Sequence, residues 1–282
     1  MKILLSGASG LLGNEIRRRC LFDNLVVDTL DRSKIEWKGN KANMEMVALY
    51  DVIIHAAANT NVELCEVDIY DCYRDNTFLT EKLVNASITY NVKFVYISST
   101  GVYGDGVSNR PYHEYDNTHP TTQHHAAKLL SEKYISKVIS NHLIIRTGWL
   151  FGGGIASNDF ISKIFNCIND QKIKSNTQQI GTPTYIKDVA DRLLMLIKND
   201  EIGIFNVVNE GCASRYSYVH KIVELFESSV EVHPVDAKDF NRVAPVSNNE
   251  SAENLKMRIA GYPKMARWTM ALEDYIIATY GK

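Results

Sequence analysis

The sequence is poor in anything that would staple, anchor or strongly charge it. Its 282 residues hold five cysteines, Cys20, Cys65, Cys72, Cys167 and Cys212, scattered and without a Cys-x-x-Cys pair. That count and spacing argue against a disulfide framework and a zinc site, and point to a reducing compartment. No apolar run approaches the roughly 20 residues that span a bilayer, and the N-terminal apolar stretch is too short for a secretory signal. Lys plus Arg number 31 and Asp plus Glu 33, a net charge of −2. There is no basic excess to draw nucleic acid or an anionic membrane. Repeats and low-complexity linkers are missing too. These absences leave a soluble, cytoplasmic chain whose 45% hydrophobic content is ordinary for a full-sized core. Its length suits one large α/β domain or two unequal ones; a homodimer is left open.

What is present is concentrated at the start. The apolar run Lys2-Ile3-Leu4-Leu5 enters Ser6-Gly7-Ala8-Ser9-Gly10-Leu11-Leu12-Gly13, and a helix is expected over Asn14 to Cys20. A strand that breaks at a glycine and resumes as a helix is the opening turn of a dinucleotide-binding sheet. The first glycine allows the tight turn, the second admits a pyrophosphate, and the third lets helix and strand pack closely. Phosphate oxygens then meet free amides at the positive end of the helix. A glycine triplet alone is weak evidence, but here the context is right. The next strand, Leu25 to Leu30, is followed by Asp31, placed as a ribose-binding carboxylate would be. Arg32 beside it could pair with a 2′-phosphate, so NAD and NADP both stay open. The cofactor set is therefore Gly7, Ser9, Gly10, Leu11, Leu12, Gly13, Asp31 and Arg32, joined by residues further on.

Ile35-Glu36-Trp37 reads as a brief third strand, and residues 38 to 50 leave room for a short helix. Asp51 to Ala58 is a near-continuous apolar strand of the buried parallel kind, and small Ala56, Ala57 and Ala58 would let a flat cofactor lie against it. His55 within it is expected to be a hydrogen-bonded core histidine. A helix over about Tyr70 to Tyr90 carries Asn76, also assigned to the cofactor. The strand Val92 to Ile97 ends in Ser98-Ser99-Thr100-Gly101-Val102-Tyr103-Gly104. Thr122 to Ser140 has the apolar stripe of a helix, and Leu143 to Thr147 is the sixth strand-like run. After Phe151-Gly152-Gly153-Gly154 the pattern is mixed, with helices near Phe160 to Ile168, Lys187 to Lys198 and Tyr216 to Glu227, and a strand Ile204 to Val208. Alternating strands and helices predict an α/β, Rossmann-like doubly wound parallel sheet with a smaller C-terminal substrate-binding lobe. Residues 1–150 with about 185–210 are the expected NAD(P)-binding domain, and 151–184 with 211–282 the lobe.

The chain resembles the extended short-chain dehydrogenase/reductases, and within them the dTDP-4-dehydrorhamnose reductase group. The resemblance spans nearly the whole chain. It is carried by Gly7-x-x-Gly10-x-x-Gly13, Leu30-Asp31-Arg32, Ala57 to Glu66, Ile97-Ser98-Ser99 and Arg146-Thr147-Gly148-Trp149. The most specific block is Gly181-Thr182-Pro183-Thr184-Tyr185 followed by Asp188. It implies an NADPH- or NADH-dependent reductase of the 4-keto group of a nucleotide-linked deoxysugar, in surface-polysaccharide biosynthesis. It further implies a catalytic Ser/Thr, Tyr and Lys. Ser99 matches the first and Lys128 the last, which also holds the nicotinamide ribose. Four residues before Lys128, where tyrosine is expected, stands His124. Thr100, Val102, Trp149 and Tyr185 are the implied substrate-facing residues.

The histidine changes the proton donor in kind. Its ordinary pKa of about 6.5 suits proton transfer near neutrality, yet a nearby lysine cation favours the neutral, poorer acid. Three explanations stay open: His124 works as a substitute, another group such as His125 or a substrate hydroxyl supplies the proton, or the reductase chemistry is lost. In the last case the chain would be a cofactor-binding regulatory or assembly subunit, like the β subunit of methionine adenosyltransferase, which resembles this group. A dehydratase is disfavoured, because Thr100 and Gly101 stand where those relatives carry an Asp-Glu pair. Glu63 and Glu66 read as solvated carboxylates, and no metal site is expected.

Overall fold

The computed structural model describes residues 1–31, 33, 35, 44–106, 110–157 and 159–282. Six strands form one sheet: β1 (Lys2–Ser6), β2 (Val26–Leu30), β3 (Val52–His55), β4 (Lys93–Ser99), β5 (His142–Thr147) and β6 (Gly203–Asn206). Their order is β2-β1-β3-β4-β5-β6, and every pairing is parallel. This is the Rossmann-like α/β fold read from the alternation of elements. Strand order reverses between β1 and β3, so a ligand crevice opens beyond their carboxyl ends.

Alternation along the strands separates two cores. Ile3, Leu5, Ile54, Val95, Ile97, Leu143 and Ile145 pack on one face, against helices α1 (Leu11–Phe22) and, later in the chain, α4 (Ile186–Lys198). Leu4, Ile53, Phe94, Tyr96 and Ile144 line the other, under α2 (Leu79–Tyr90) and α3 (Gln123–Val138). Strands apolar on both faces must be covered on both, which is why helices flank the sheet twice. A separate cluster around Phe151, Ile161, Tyr218, Ile222, Phe226, Leu272 and Tyr275 gathers the helices Phe160–Asn166, α5 (Arg215–Leu225) and α6 (Trp268–Tyr280). With it runs a parallel two-stranded ribbon, Lys172–Asn176 with Glu231–Val235.

Several expectations shift. Leu143 to Thr147, counted sixth, belongs to the fifth strand of the sheet. The brief strand at Ile35-Glu36-Trp37 falls largely outside the described residues. The helix expected unbroken over Tyr70 to Tyr90 contains a π turn, Arg74–Phe78, between the α segments Ile69–Tyr73 and Leu79–Tyr90. Such wide turns recur at functional sites, and this one carries Asn76. The ribbon and α6 were not anticipated, since neither has a motif and α6 is apolar on much of its surface.

One buried charge pair locks α3 across the sheet. Glu132, a turn beyond Lys128, receives Arg146 of β5 through Nη2 at 2.6 Å and Nε at 3.1 Å. The same carboxylate accepts from Ser98 Oγ of β4 at 2.5 Å. Arg146→Met leaves that carboxylate buried without its cation. Urea unfolding should show a loss of about 3–5 kcal/mol; a midpoint within error of the wild type would refute this role.

Candidate active site

The glycine turn is built by close approach. Gly7 has φ of 77°, and a Cβ there would stand 2.4 Å from the amide nitrogen of Ala57. A Cβ on Gly13 would lie 2.0 Å from the Gly7 carbonyl oxygen, so the helix is seated directly on the turn. Gly10 caps α1 without a side chain, and no acidic residue sits in the first turn. The leading amides of α1, at Leu11, Leu12 and Gly13, therefore have no side-chain acceptor, which is an anion site in waiting. They open on a cavity of about 610 Å³ that also touches Ser9, Ala56 to Ala58, Ser98 to Thr100, His124, His125, Lys128 and Trp149. A second cavity, about 660 Å³, lies over the same turn beside Asn14, Arg17, Leu30 and Asp31. Turn, free amides and carboxylate together fit a dinucleotide.

Helix α3 aims its first turns at the cavity. Thr122 caps it, its Oγ1 accepting from the amide of His125 at 3.3 Å. His124 and Lys128, four apart, share a face. Lys128 Nζ donates to the Ile97 carbonyl at 2.9 Å and lies 4.7 Å from the Tyr96 ring centre. Burial brings its pKa down to about 8, against the pull of Glu132. His124 Nδ1 lies 2.9 Å from the Asn59 carbonyl oxygen. Asn59 is itself clamped by Asn76, whose Oδ1 accepts from the Asn59 amide at 2.8 Å while Nδ2 donates to its carbonyl at 3.1 Å. Burial first, then His125 and Lys128, push the His124 pKa down to about 3. His125 is lowered by burial too, but the carboxylates of Glu250 and Glu66 oppose that shift. The Ser99 hydroxyl accepts from the Gly101 amide at 3.2 Å, leaving its proton for a ligand. Thr147 Oγ1, on the same wall, is buried without a partner among the described residues.

Opposite stands Trp149, together with residues that the motifs did not single out. Trp149, at φ 45°, lays its ring against Gly181, where a Cβ would come within 2.1 Å of it. Its Nε1 donates to Glu250 at 2.9 Å, and the Arg215 guanidinium stacks 3.5 Å from its ring centre. A bulky residue in left-handed backbone is an outlier of the kind found at ligand sites. Arg215, Arg242 and Gln179 complete this wall. Two arginines among 31 basic residues carry no periodicity or spacing that marks them in a sequence; only the fold brings them together.

The structure gathers Ser99, Thr100, His124, Lys128, Trp149, the glycine turn and Ala56 to Ala58 around one cavity, with Asp31 at the neighbouring one. Asp31 is exposed, and its Oδ1 accepts from the Ser33 amide at 2.9 Å. Arg32 lies outside the described residues. Asn76 stands behind the wall and acts on it through Asn59. Val102 and Tyr185 do not line this cavity: Val102 is fully buried, and Tyr185 stacks on Phe151 with ring centres 5.5 Å apart. His55 is a core residue as expected, bonded to Ser6 Oγ at 2.6 Å and Thr80 Oγ1 at 3.0 Å. Glu63 binds Arg242 at 2.7 Å, and Glu66 accepts from the Gln123 amide at 2.6 Å. Among the described residues no cluster of three His, Cys, Asp or Glu could hold a metal.

Residues 1–280 match the RmlD substrate binding domain family. The chain belongs to that family. Its RmlD relatives include the spore coat polysaccharide biosynthesis protein SpsK of Bacillus subtilis, 26% identical over 98% of this chain and 96% of that one. The dTDP-4-dehydrorhamnose reductase of Mycolicibacterium smegmatis is 26% identical, over 99% of this chain and 86% of its own. A solved dTDP-4-dehydrorhamnose reductase from Clostridium acetobutylicum superposes with a TM-score of 0.92, at 27% identity and 99% coverage of both chains. That of Bacillus anthracis, solved with NADP, gives 0.90 at 25% identity, over 99% of this chain and all of that one. UDP-glucose 4-epimerase of Thermus thermophilus, at 16% identity and a TM-score of 0.80, shares the fold.

Two buried rings make the protein acid-sensitive. His55 and His124 both have pKa values lowered to about 3 in the fold, against about 6.5 unfolded. The unfolded chain then binds more protons below pH 6.5, so stability falls with pH from there down to about 3. Each ring should cost about 2 kcal/mol by pH 5, at roughly 1.4 kcal/mol per pH unit. Urea midpoints at pH 7 and pH 5 should diverge accordingly, with His124→Gln removing about 2 kcal/mol of the drop. A flat profile would contradict the neutral burial of these rings.

Proposed function

We infer that this chain is an NADPH- or NADH-dependent reductase of a nucleotide-linked 4-keto-6-deoxysugar, acting in surface-polysaccharide biosynthesis in the cytoplasm. The observation that carries the reading is the convergence of the glycine turn, Ser99 and Lys128 on one cavity in a chain matched to its family end to end. Among the described residues no helix is long and apolar enough to cross a membrane, consistent with a substrate taken from solution.

The reduced nicotinamide, when bound, supplies the hydride. The amides of Leu11, Leu12 and Gly13 would hold the cofactor's diphosphate, and Asp31 its adenosine ribose. Lys128 would hold the nicotinamide ribose while remaining anchored to the Ile97 carbonyl. Ser99 donates to the sugar carbonyl and orients it. The guanidinium groups of Arg215 and Arg242 face the same cavity and suit the diphosphate of a nucleotide sugar. On this reading residues 1–150 with about 185–210 bind the cofactor, and 151–184 with 211–282 bind the sugar nucleotide. The regulatory-subunit alternative draws no support from a cavity that keeps both the hydroxyl and the lysine.

Purified protein should oxidise NADPH or NADH only when a dTDP-linked 4-keto-6-deoxysugar is added. Lys128→Met should lower kcat/KM by about 10²-fold, the scale of a misplaced reactant. Because Lys128 is cationic only below about 8, wild-type activity should fall as pH rises through that value. Failure of the wild type to turn over any such sugar, with no gain in His124→Tyr, defeats the reductase reading.

A further inference from the structure

We propose that the proton donor to the sugar carbonyl oxygen is His125, acting through Nε2 from a seat against Gly101, and that neutral His124 serves as a hydrogen-bond acceptor. This rests on the reductase reading above.

The hydrogen positions follow from the partners. The Asn59 carbonyl can only accept, so the His124 ring nitrogen 2.9 Å from it, Nδ1, carries the hydrogen. Asn76 Nδ2, 3.4 Å from the same nitrogen, is also a donor and cannot replace that bond. A neutral His124 therefore offers the cavity a bare Nε2. His125 has the opposite arrangement. Its Nδ1 lies 3.0 Å from Thr122 Oγ1, a buried hydroxyl that already accepts from the His125 amide. Among the described residues the hydroxyl hydrogen has no other acceptor, so Thr122 donates to Nδ1. The reverse placement would strand a buried O–H. The neutral ring then carries its hydrogen on Nε2, which has no protein partner among the described residues.

Gly101 makes this placement sterically feasible. Neighbours on a helix point about 100° apart, so His125 does not share the His124–Lys128 face. Its ring reaches the site by lying over Gly101, where a Cβ would come within 2.1–2.5 Å of Cε1, Nε2 and Nδ1. Any side chain at 101 would claim that space. Burial lowers the pKa of both rings; at His125 Lys128 adds to that shift while Glu250 and Glu66 oppose it, and at His124 no carboxylate opposes it.

As hydride reaches the carbonyl carbon, the C=O π pair moves to oxygen. That oxygen takes the Nε2 proton of neutral His125 while the Thr122 hydroxyl goes on donating to Nδ1. The ring regains its Nε2 hydrogen from water after product leaves, which restores the resting tautomer.

Two measurements test this. Nitrogen-15 NMR of the histidine rings near pH 7, assigned with His124→Gln and His125→Gln, should show the Nδ1–H tautomer at 124 and Nε2–H at 125. An Nδ1–H tautomer at His125 overturns the proposal without reference to turnover. In steady-state kinetics His125→Gln should lose about 10²-fold or more in kcat, with NADPH affinity by fluorescence unchanged. Gly101→Ala, which displaces the ring but leaves it in the chain, should lose kcat likewise. His124→Gln should act mainly on KM. A wild type that turns over while His125→Gln or Gly101→Ala keeps its kcat defeats this proposal alone. A wild type that binds NADPH but reduces no 4-keto sugar nucleotide defeats the reductase reading and this proposal together.

Discussion

The buried pair of Glu132 and Arg146 is the constraint on which the site depends. It joins the middle of α3 to β5, and through Ser98 to β4, at the carboxyl edge of the sheet. A helix free to slide along its own axis would shift by 1.5 Å per residue. Pinned at Glu132, it can present His124, His125 and Lys128 to Ser99 in only one register. Lys128 reinforces the setting by donating to the Ile97 carbonyl, one strand residue before Ser98. Buried pairs of this kind add little net stability, and here the pair's use is positional.

A second constraint lies across the cavity, at the seat of α1 on the Gly7 turn. The two are independent: one is a contact between backbones that excludes side chains, the other a pair of full charges. Together they set the distance between the free amides of α1 and the lysine of α3. A dinucleotide has a diphosphate near its middle and a nicotinamide ribose at one end, so the reach between those two points must match. The arginine wall formed by Arg215 and Arg242 closes the third side, and it comes from the segment whose apolar core is separate from the sheet.

Legibility followed the range of the interaction. The glycine turn, the strand alternation and the i, i+4 pair of His124 and Lys128 are local, and each could be read from a window of a few residues. The π turn at Arg74–Phe78 is local in the chain but set by tertiary contacts, since Asn76 earns its inward position by clamping Asn59, 17 residues away. Periodicity alone gives a plain helix there. Arg215, Arg242 and Glu250 meet only through the lobe's packing and have no signature. Tyr185 sits in the most specific motif, yet its ring is drawn to Phe151 and Tyr275. A motif marks a position, and packing decides which way the side chain goes.

Gly101 and His125 are best understood as one feature written in two places. An imidazole is shorter than a phenol, so a histidine at 124 alone leaves the carbonyl short of a donor, and the Asn59 carbonyl holds that histidine's proton on the wrong side. A second ring one residue on would normally point away from the cleft. It can turn back because position 101 has no side chain, and Thr122 then fixes which nitrogen carries the hydrogen. His124 and His125 stand with ring centres 5.0 Å apart and planes at 68°, close enough that protonating one disfavours protonating the other. Burial lowers both pKa values, so both rings rest neutral near pH 7, and the hydrogen offered to the cleft is the one that Thr122 fixes on Nε2 of His125.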